Sequence, residues 1–422
     1  MNAPPNLASS LPLAAADPLD SAAAAHASKE VPLGDAPSVL FVDQSGQLGG
    51  AEFALLPLAG LCASRGEVVL LSDGPFRARL EALGVRVRVI GDARVSGIGR
   101  QSLRFGWLRA LPAIVRQVCA LAREAKRFDV LFLNTQKALV LGALGKPLHR
   151  RPVIWYLHDI MSPEHFGTAQ RVIVRWLVRH AVDHVVANSQ ASAQSLATLT
   201  GRASDMPPVV HNGIDTHAFD TPAIDHPDDV VALRRRLGLP EHAWLAGLFG
   251  RLAPWKGQHV AIDALARLPD VHLVLVGAAL FGEDVYARQL HDRAERLGVA
   301  ERVHFAGFQD DMPAWMKAMD VVLHTSTDAE PFGRVIVEGM AAGRPVIATA
   351  AGGVTEIVRH GHNGWLVEPG NDVVLADAIR TLHTSPVVAR QLAQQGLVDA
   401  RRDFSLDGFL RRMTQVIADI GR

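Results

Sequence analysis

The chain is expected to be an α/β protein of two successive doubly wound parallel-sheet domains, and three observations predict this. Short β-branched runs alternate with longer helical patterns, the signature of strands whose crossovers are helices. The alternation stops at a Pro- and Asp-rich stretch, 216–229, and then starts again. Each half opens in the same way, with a strand, a Gly-containing loop and a helix: 39–42, 43–50 and a helix from Ala51 in the first, 246–249, 250–256 and a helix from Gly257 in the second. A length of 422 residues, at about 150 residues per domain, suggests two or three domains, of which two fits better, and 49% hydrophobic residues leave ample material for their cores.

In order, the first half offers buried-strand candidates at 38–42, 68–71, 85–90, 130–133, 153–156 and 184–187. The second offers 243–249, 272–276, 303–306, 321–324, 345–348 and 364–367. The resulting organisation is a tail at 1–37, a domain at 38–215, a linker at 216–230, a domain at 231–405 and a helix within 406–422 that packs back on the first domain. The tail is rich in Ala, Pro and Ser, carries four acidic residues against Lys29, and has neither a basic start nor a long apolar run, so it reads as disordered rather than as a signal peptide.

Net charge is zero, with 43 basic and 43 acidic residues, which argues against nucleic acid as a partner. The total conceals a polarity: residues 38–215 hold 21 Lys and Arg against 13 Asp and Glu, and residues 216–422 hold 21 against 26. Much of the positive charge lies in 94–127 and in 171–179. There Arg171, Arg175 and Arg179 recur every four residues, sharing a helix face roughly opposite Ile173 and Leu177. Such a stripe suits an anionic acceptor or an anionic lipid surface; a solvated face on a packed helix is the plain alternative. Two cysteines, Cys62 and Cys119, argue against a disulfide framework and for a reducing, cytoplasmic setting. No run of about 18 apolar residues suggests a membrane span.

The stretch richest in chemistry is 329–356. Glu330 and Glu338 stand eight apart, and Pro331, Phe332 and Gly333 are expected to open a helix, with Glu330 just before it and Glu338 about two turns in. Backbone N–H groups of Phe332, Gly333, Arg334 and Val335 would then face outward at a helix start, where a diphosphate could accept them. The loops 43–50 and 250–256 also precede helices, but neither spells a G-x-G-x-x-G dinucleotide fingerprint. No Asp-x-Asp occurs, so no metal-bridged diphosphate site is expected and no cofactor is called for. A His180-x3-His184 pair lacks a third ligand, and no G-x-S-x-G elbow is present.

Taken together, Gly49-Gly50-Ala51-Glu52, His158-Asp159, the stretch 210–215, Gly250-Arg251 through Lys256-Gly257, the stretch 303–308, the Glu330/Glu338 spacing, Gly352-Gly353 with Glu356, and His362-Asn363-Gly364 resemble family 4 of the retaining glycosyltransferases, with the GT-B fold. The resemblance runs over 38–415. It implies two Rossmann-like domains facing an interdomain cleft, the first binding an acceptor and the second a nucleotide sugar. Residue by residue, it gives Glu338 to the ribose hydroxyls, Glu330 to the donor sugar, and Arg251 and Lys256 to the diphosphate. Gly49 and Gly50 would approach the diphosphate from the other wall, His158 would lie beside the reacting sugar, and Phe308 and Asp310 would lie near the base.

The implied activity is hexosyl transfer from a nucleoside-diphosphate sugar, without metal and with retention, to a sugar, lipid-linked or glycan acceptor in bacterial surface polysaccharide or glycolipid synthesis, at the inner face of the membrane. An epimerase or hydrolase on the same scaffold and a non-catalytic nucleotide-sugar-binding protein are the alternatives. Gly339 where Ala is usual, and Arg334 where a small apolar residue is usual, depart from the family pattern.

Overall fold

The computed structural model describes residues 36–91, 106–202, 206–222, 224, 226–279 and 282–421, with only the backbone described at 106–110. Residues 1–35 of the expected tail, and Arg94, Arg100 and Arg104 of the basic stretch, lie outside the described residues. The first sheet is made of β1 (Val39–Asp43), β2 (Gly66–Leu70), β3 (Arg86–Val89), β4 (Val130–Leu133), β5 (Val153–Leu157) and β6 (His184–Ala187). The second holds β7 (Trp244–Phe249), β8 (Val271–Val276), β9 (Val303–Gly307), β10 (Val321–His324), β11 (Val346–Thr349) and β12 (Trp365–Val367). The orders are β3-β2-β1-β4-β5-β6 and β9-β8-β7-β10-β11-β12, every pairing parallel. Both are therefore doubly wound in the order 3-2-1-4-5-6, and each has its crevice where the winding reverses, between its first and fourth strands.

The central strands β1, β4 and β5 are buried along their whole length. Helices cover both faces, so these strands read as unbroken apolar runs such as Val-Leu-Phe-Val. Each sheet accordingly has two cores, one per face.

One of those cores is completed from far along the chain. The helix Leu406–Ile420 lays Leu406, Phe409, Leu410, Met413 and Ile417 against Val39, Phe41, Val130 and Phe132 of the first sheet. Burying each such side chain contributes about 1.5–3 kcal/mol. The chain crosses between halves twice, and the crossings pair side by side: Ile214 N donates to the Phe404 carbonyl and Leu406 N to the Ile214 carbonyl, both at 2.9 Å. Gly213 lets them meet, since a Cβ there would lie 2.5 Å from Phe409 Cβ.

Candidate active site

The crevice of the second half is built first by β10 and the segment after it. His324 ends the strand, Ser326 follows, and Glu330 lies at the close of the turn. Glu330 accepts from Lys256 Nζ at 2.7 and 2.9 Å, from His324 Nε2 at 2.6 Å and from Ser326 Oγ at 2.8 Å. Burial alone would push this carboxyl up, but Lys256 and His324 outweigh it and hold Glu330 well below the usual carboxylate range. Its neighbour in sequence, Pro331, is fixed by Gly352 and Gly353 of the next loop. Gly353 N donates to the Glu330 carbonyl at 2.8 Å, and Cβ atoms at the two glycines would lie 2.3 Å from Glu330 O and 2.2 Å from Pro331 O. Only glycines permit that approach.

The helix that follows spans Arg334–Ala341, with Gly333 as its N-cap in the left-handed region at φ 98°. This corrects the expected start: Pro331, Phe332 and Gly333 precede the helix, and Glu338 is one turn in, not two. The backbone is held out of helical geometry by the two-glycine contact, so the N-terminal N–H groups belong to Arg334 and Val335. Phe332 is buried and stacks on His211 at 5.9 Å between ring centroids. Glu338 pairs with Arg334 at 3.1 Å.

Lys256 also sits 4.2 Å from the Trp255 ring centroid, at the end of a short 3-10 turn, Pro254–Lys256. The helix after it begins at Gln258, one residue later than expected. Arg251 pairs with Glu283 at 3.4 Å. The two expected diphosphate cations thus each hold a carboxylate here, which neutralises them. Phe308 is exposed, and Asp310 reaches across the cleft to Arg79 at 3.8 Å.

The facing wall comes from the first half. The helix Gly50–Leu61 starts directly after Gly49, which is its extended N-cap. Its Phe53 ring lies beneath the guanidinium of Arg334, 5.4 Å away, so that departure from the family pattern becomes a contact between the two walls. Three polar residues stand at the ends of three neighbouring strands: Asp43 on β1, Asn134 after β4 and His158 after β5. Asn134 Nδ2 donates to Asp43 at 2.6 Å, and its Oδ1 lies 3.0 Å from His158 Nε2. Burial, then the Arg334 cation, push the His158 imidazole down to about 3, so the ring is neutral.

Glu52 lies over Asp43 in the first turn of Gly50–Leu61 and hydrogen-bonds it side chain to side chain. Burial and the Asp43 charge push Glu52 up to about 8, and burial raises Asp43 as well. The pair therefore retains a proton at neutral pH.

Sequence reasoning singled out Gly49, Gly50 and His158 but passed over Asp43, Asn134, His324 and Ser326. Position could have found the first two, since each is a polar residue at the carboxyl end of an apolar strand beside the winding reversal. It also placed Glu356 in a motif without its role. Glu356 spans the halves, accepting from Gln190 N at 2.8 Å, Ala191 N at 2.9 Å and His211 Nε2 at 3.0 Å. Among the described residues no cluster of three metal-ligating side chains occurs. His180 ends a helix while His184 opens β6, so the two do not share a helix face.

Two doubly wound domains that meet across their carboxyl-end crevices, with a helix start and a lysine–glutamate pair between them, have the GT-B architecture. The family profiles agree in register with the two halves: Glycosyltransferase Family 4 matches residues 48–218 and Glycosyl transferases group 1 matches 230–397. A D-inositol 3-phosphate glycosyltransferase of Xylanimonas cellulosilytica is 30% identical over 390 residues, 89% of this chain and 92% of that protein. The Anabaena protein Alr3699/HepE, solved in complex with UDP-glucose, is 39% identical with a TM-score of 0.81, covering 91% of this chain and 100% of that one. The lipopolysaccharide core biosynthesis glycosyltransferase LpsE of Rhizobium meliloti is 37% identical over 190 residues, 45% of this chain and 54% of that protein. The chain belongs to family 4 of the glycosyltransferases.

Proposed function

We propose that the protein transfers a hexose from a uridine-diphosphate sugar to an acceptor, with retention and without a metal ion. The observation that carries this is the Lys256–Glu330 pair beside the helix start at Arg334, in a chain 39% identical to a protein solved with UDP-glucose. A diphosphate placed there takes N–H groups from Arg334 and Val335 and draws Lys256 toward its oxygens. Glu330 Oε1, whose partner is Lys256, is then released to accept from a sugar hydroxyl. Glu338 exchanges Arg334 for the ribose hydroxyls, and Arg251 adds its charge to the diphosphate.

As the bond from C1 to the β-phosphate oxygen breaks, negative charge grows on that phosphate, and these donors stabilise it as it forms. The acceptor oxygen bonds C1 on the same face and passes its proton to the departing phosphate. Retention is supported by how the cleft carboxylates are engaged with the donor in place: Glu330 and Glu338 are taken up by sugar and ribose hydroxyls, Glu52 shares a proton with Asp43, and Asp159 accepts from Gln136 at 3.2 Å. A panel of nucleotide sugars scored for thermal shift and nucleotide release, with Glu330→Ala as control, tests the donor. Product anomeric configuration tests retention, and full turnover in a chelator tests metal independence; inversion, or loss of activity on chelation, removes the corresponding part.

The acceptor reading is a surface saccharide or lipid-linked glycan met at an anionic membrane on the cytoplasmic side. The helix Thr168–His180 supports it, with a correction to the expected faces: Val174 and Leu177 are buried, whereas Val172, Ile173 and Trp176 are 59%, 47% and 54% exposed. Ile173 thus lies outside, beside the exposed Arg175, while Arg179 is tied to the Thr200 carbonyl. No helix among the described residues is long and apolar enough to cross a membrane. Sedimentation with anionic vesicles, lost in Trp176→Ser with Arg175→Glu, is the expected result; equal binding by that variant removes the membrane contact.

A further inference from the structure

His158 is held by a chain of hydrogen bonds whose direction can be read link by link. Asn134 Nδ2 faces two acceptors, Asp43 Oδ2 at 2.6 Å and the Ala51 carbonyl at 3.1 Å. A flipped amide would set its oxygen against both, so the NH2 group must lie on that side. Oδ1 is then the group that faces His158 Nε2, 3.0 Å away, and an amide oxygen can only accept. Nε2 must carry the proton. A neutral ring with Nε2–H has its lone pair on Nδ1, which has no partner among the described residues and is not among the fully buried unpaired atoms.

The arrangement is stiff. Asp43 is fully buried and also accepts from Ser45 N at 2.9 Å, and Glu52 closes the chain from above it. Asn134 is itself fully buried, its backbone N donating to the Val42 carbonyl at 3.0 Å. Tyr156 fixes one side of the imidazole, edge on at 4.2 Å between centroids.

We infer that Asn134 is a positioning residue, which, oriented by Asp43 and the Ala51 carbonyl, locks His158 as the Nε2–H tautomer so that the imidazole meets the donor sugar with an acceptor, Nδ1. This rests on the reading of the cleft as a nucleotide-sugar site. A sugar hydroxyl donating to Nδ1 is held in one orientation, and a sugar lacking a hydroxyl at that position loses the contact. The chain Glu52–Asp43–Asn134 acts on the sugar through His158 alone.

The first measurement needs no substrate: histidine 15N NMR of the whole protein at pH 7, with His158 assigned through His158→Gln. The expected spectrum shows neutral Nε2–H; neutral Nδ1–H or an imidazolium overturns the inference. Asn134→Ala is then expected to mix the two tautomers and lower kcat at least tenfold while KM for the nucleotide sugar stays within threefold. The same substitution in a His158→Ala background should change kcat less than twofold, because the residue acts through His158. Equal losses in the two backgrounds mean a general structural role and overturn the proposal, as does an unaltered tautomer in a folded Asn134→Ala. If Asn134→Ala does not fold, Glu52→Gln, which can donate to Asp43 as the protonated acid does, is expected to keep the Nε2–H signal, and loss of that signal overturns the inference. Failure of the donor reading would register separately, as absent nucleotide-sugar binding with the NMR result unchanged.

Discussion

The two sheets share one strand order, and each places a carboxylate at the crevice between its first and fourth strands. In the first half, Asp43 and Glu52 lie together, and the raised Glu52, at about 8, keeps a proton between them. In the second, Glu330 is equally enclosed yet holds Lys256 and His324 and is pushed far the other way. Burial acts in the same direction on all three, so a cation within hydrogen-bond distance decides the protonation state. One wall of the cleft consequently carries a carboxylate pair joined by one proton, and the other a carboxylate whose charge Lys256 offsets.

Removing that lysine should have the largest effect. Lys256→Ala is expected to lower kcat by about 10²–10³, the usual loss for one donor to a developing anion, with a smaller change in binding, measured by steady-state kinetics. On the wall of the carboxylate pair, Asp43→Leu strips Asn134 and Ser45 of their acceptor and should cost about 2–4 kcal/mol of stability in denaturant unfolding.

The walls should also respond oppositely to pH. Glu52 is raised, so its contribution is complete below pH 4.5 and is lost as pH rises through about 8, with a limiting slope of about 1.4 kcal/mol per pH unit. Glu330 is depressed, so its contribution is present above pH 4.5 and is lost as pH falls through its folded value. Hydrogen exchange resolved by domain between pH 5 and 9 should show the first half loosening on the alkaline side, and Glu52→Gln should flatten that trend. The smallest effect belongs to the contact between halves: Glu356→Ala uncaps Gln190 and Ala191 and should cost about 1–2 kcal/mol.

The comparison also explains what was legible in the sequence. The central strands could be read because each is apolar along its full length, a demand that burial on both faces imposes locally. Gly49, Gly50 and Glu330 were visible because loops before helices have a local pattern. The helix start at Arg334 was misjudged because Pro331 is pinned by Gly352 and Gly353, a contact between loops that no window of sequence contains. Lys256 and Glu330 lie 74 residues apart, so their mutual neutralisation could not be read from either motif. Ile173 was assigned inward on periodicity alone; the neighbouring Val174 and Leu177 fill that space instead.

The helix Leu406–Ile420 has a consequence for how the protein is made. Phe409 and Met413 fill the core beneath β1, yet Phe409 follows Asp215 by 194 residues. At about 5–20 residues per second, the ribosome needs on the order of 10–40 s to cover that distance. Throughout that interval the earlier-synthesised domain waits with an apolar trough open on one face, and the half translated first is the half completed last.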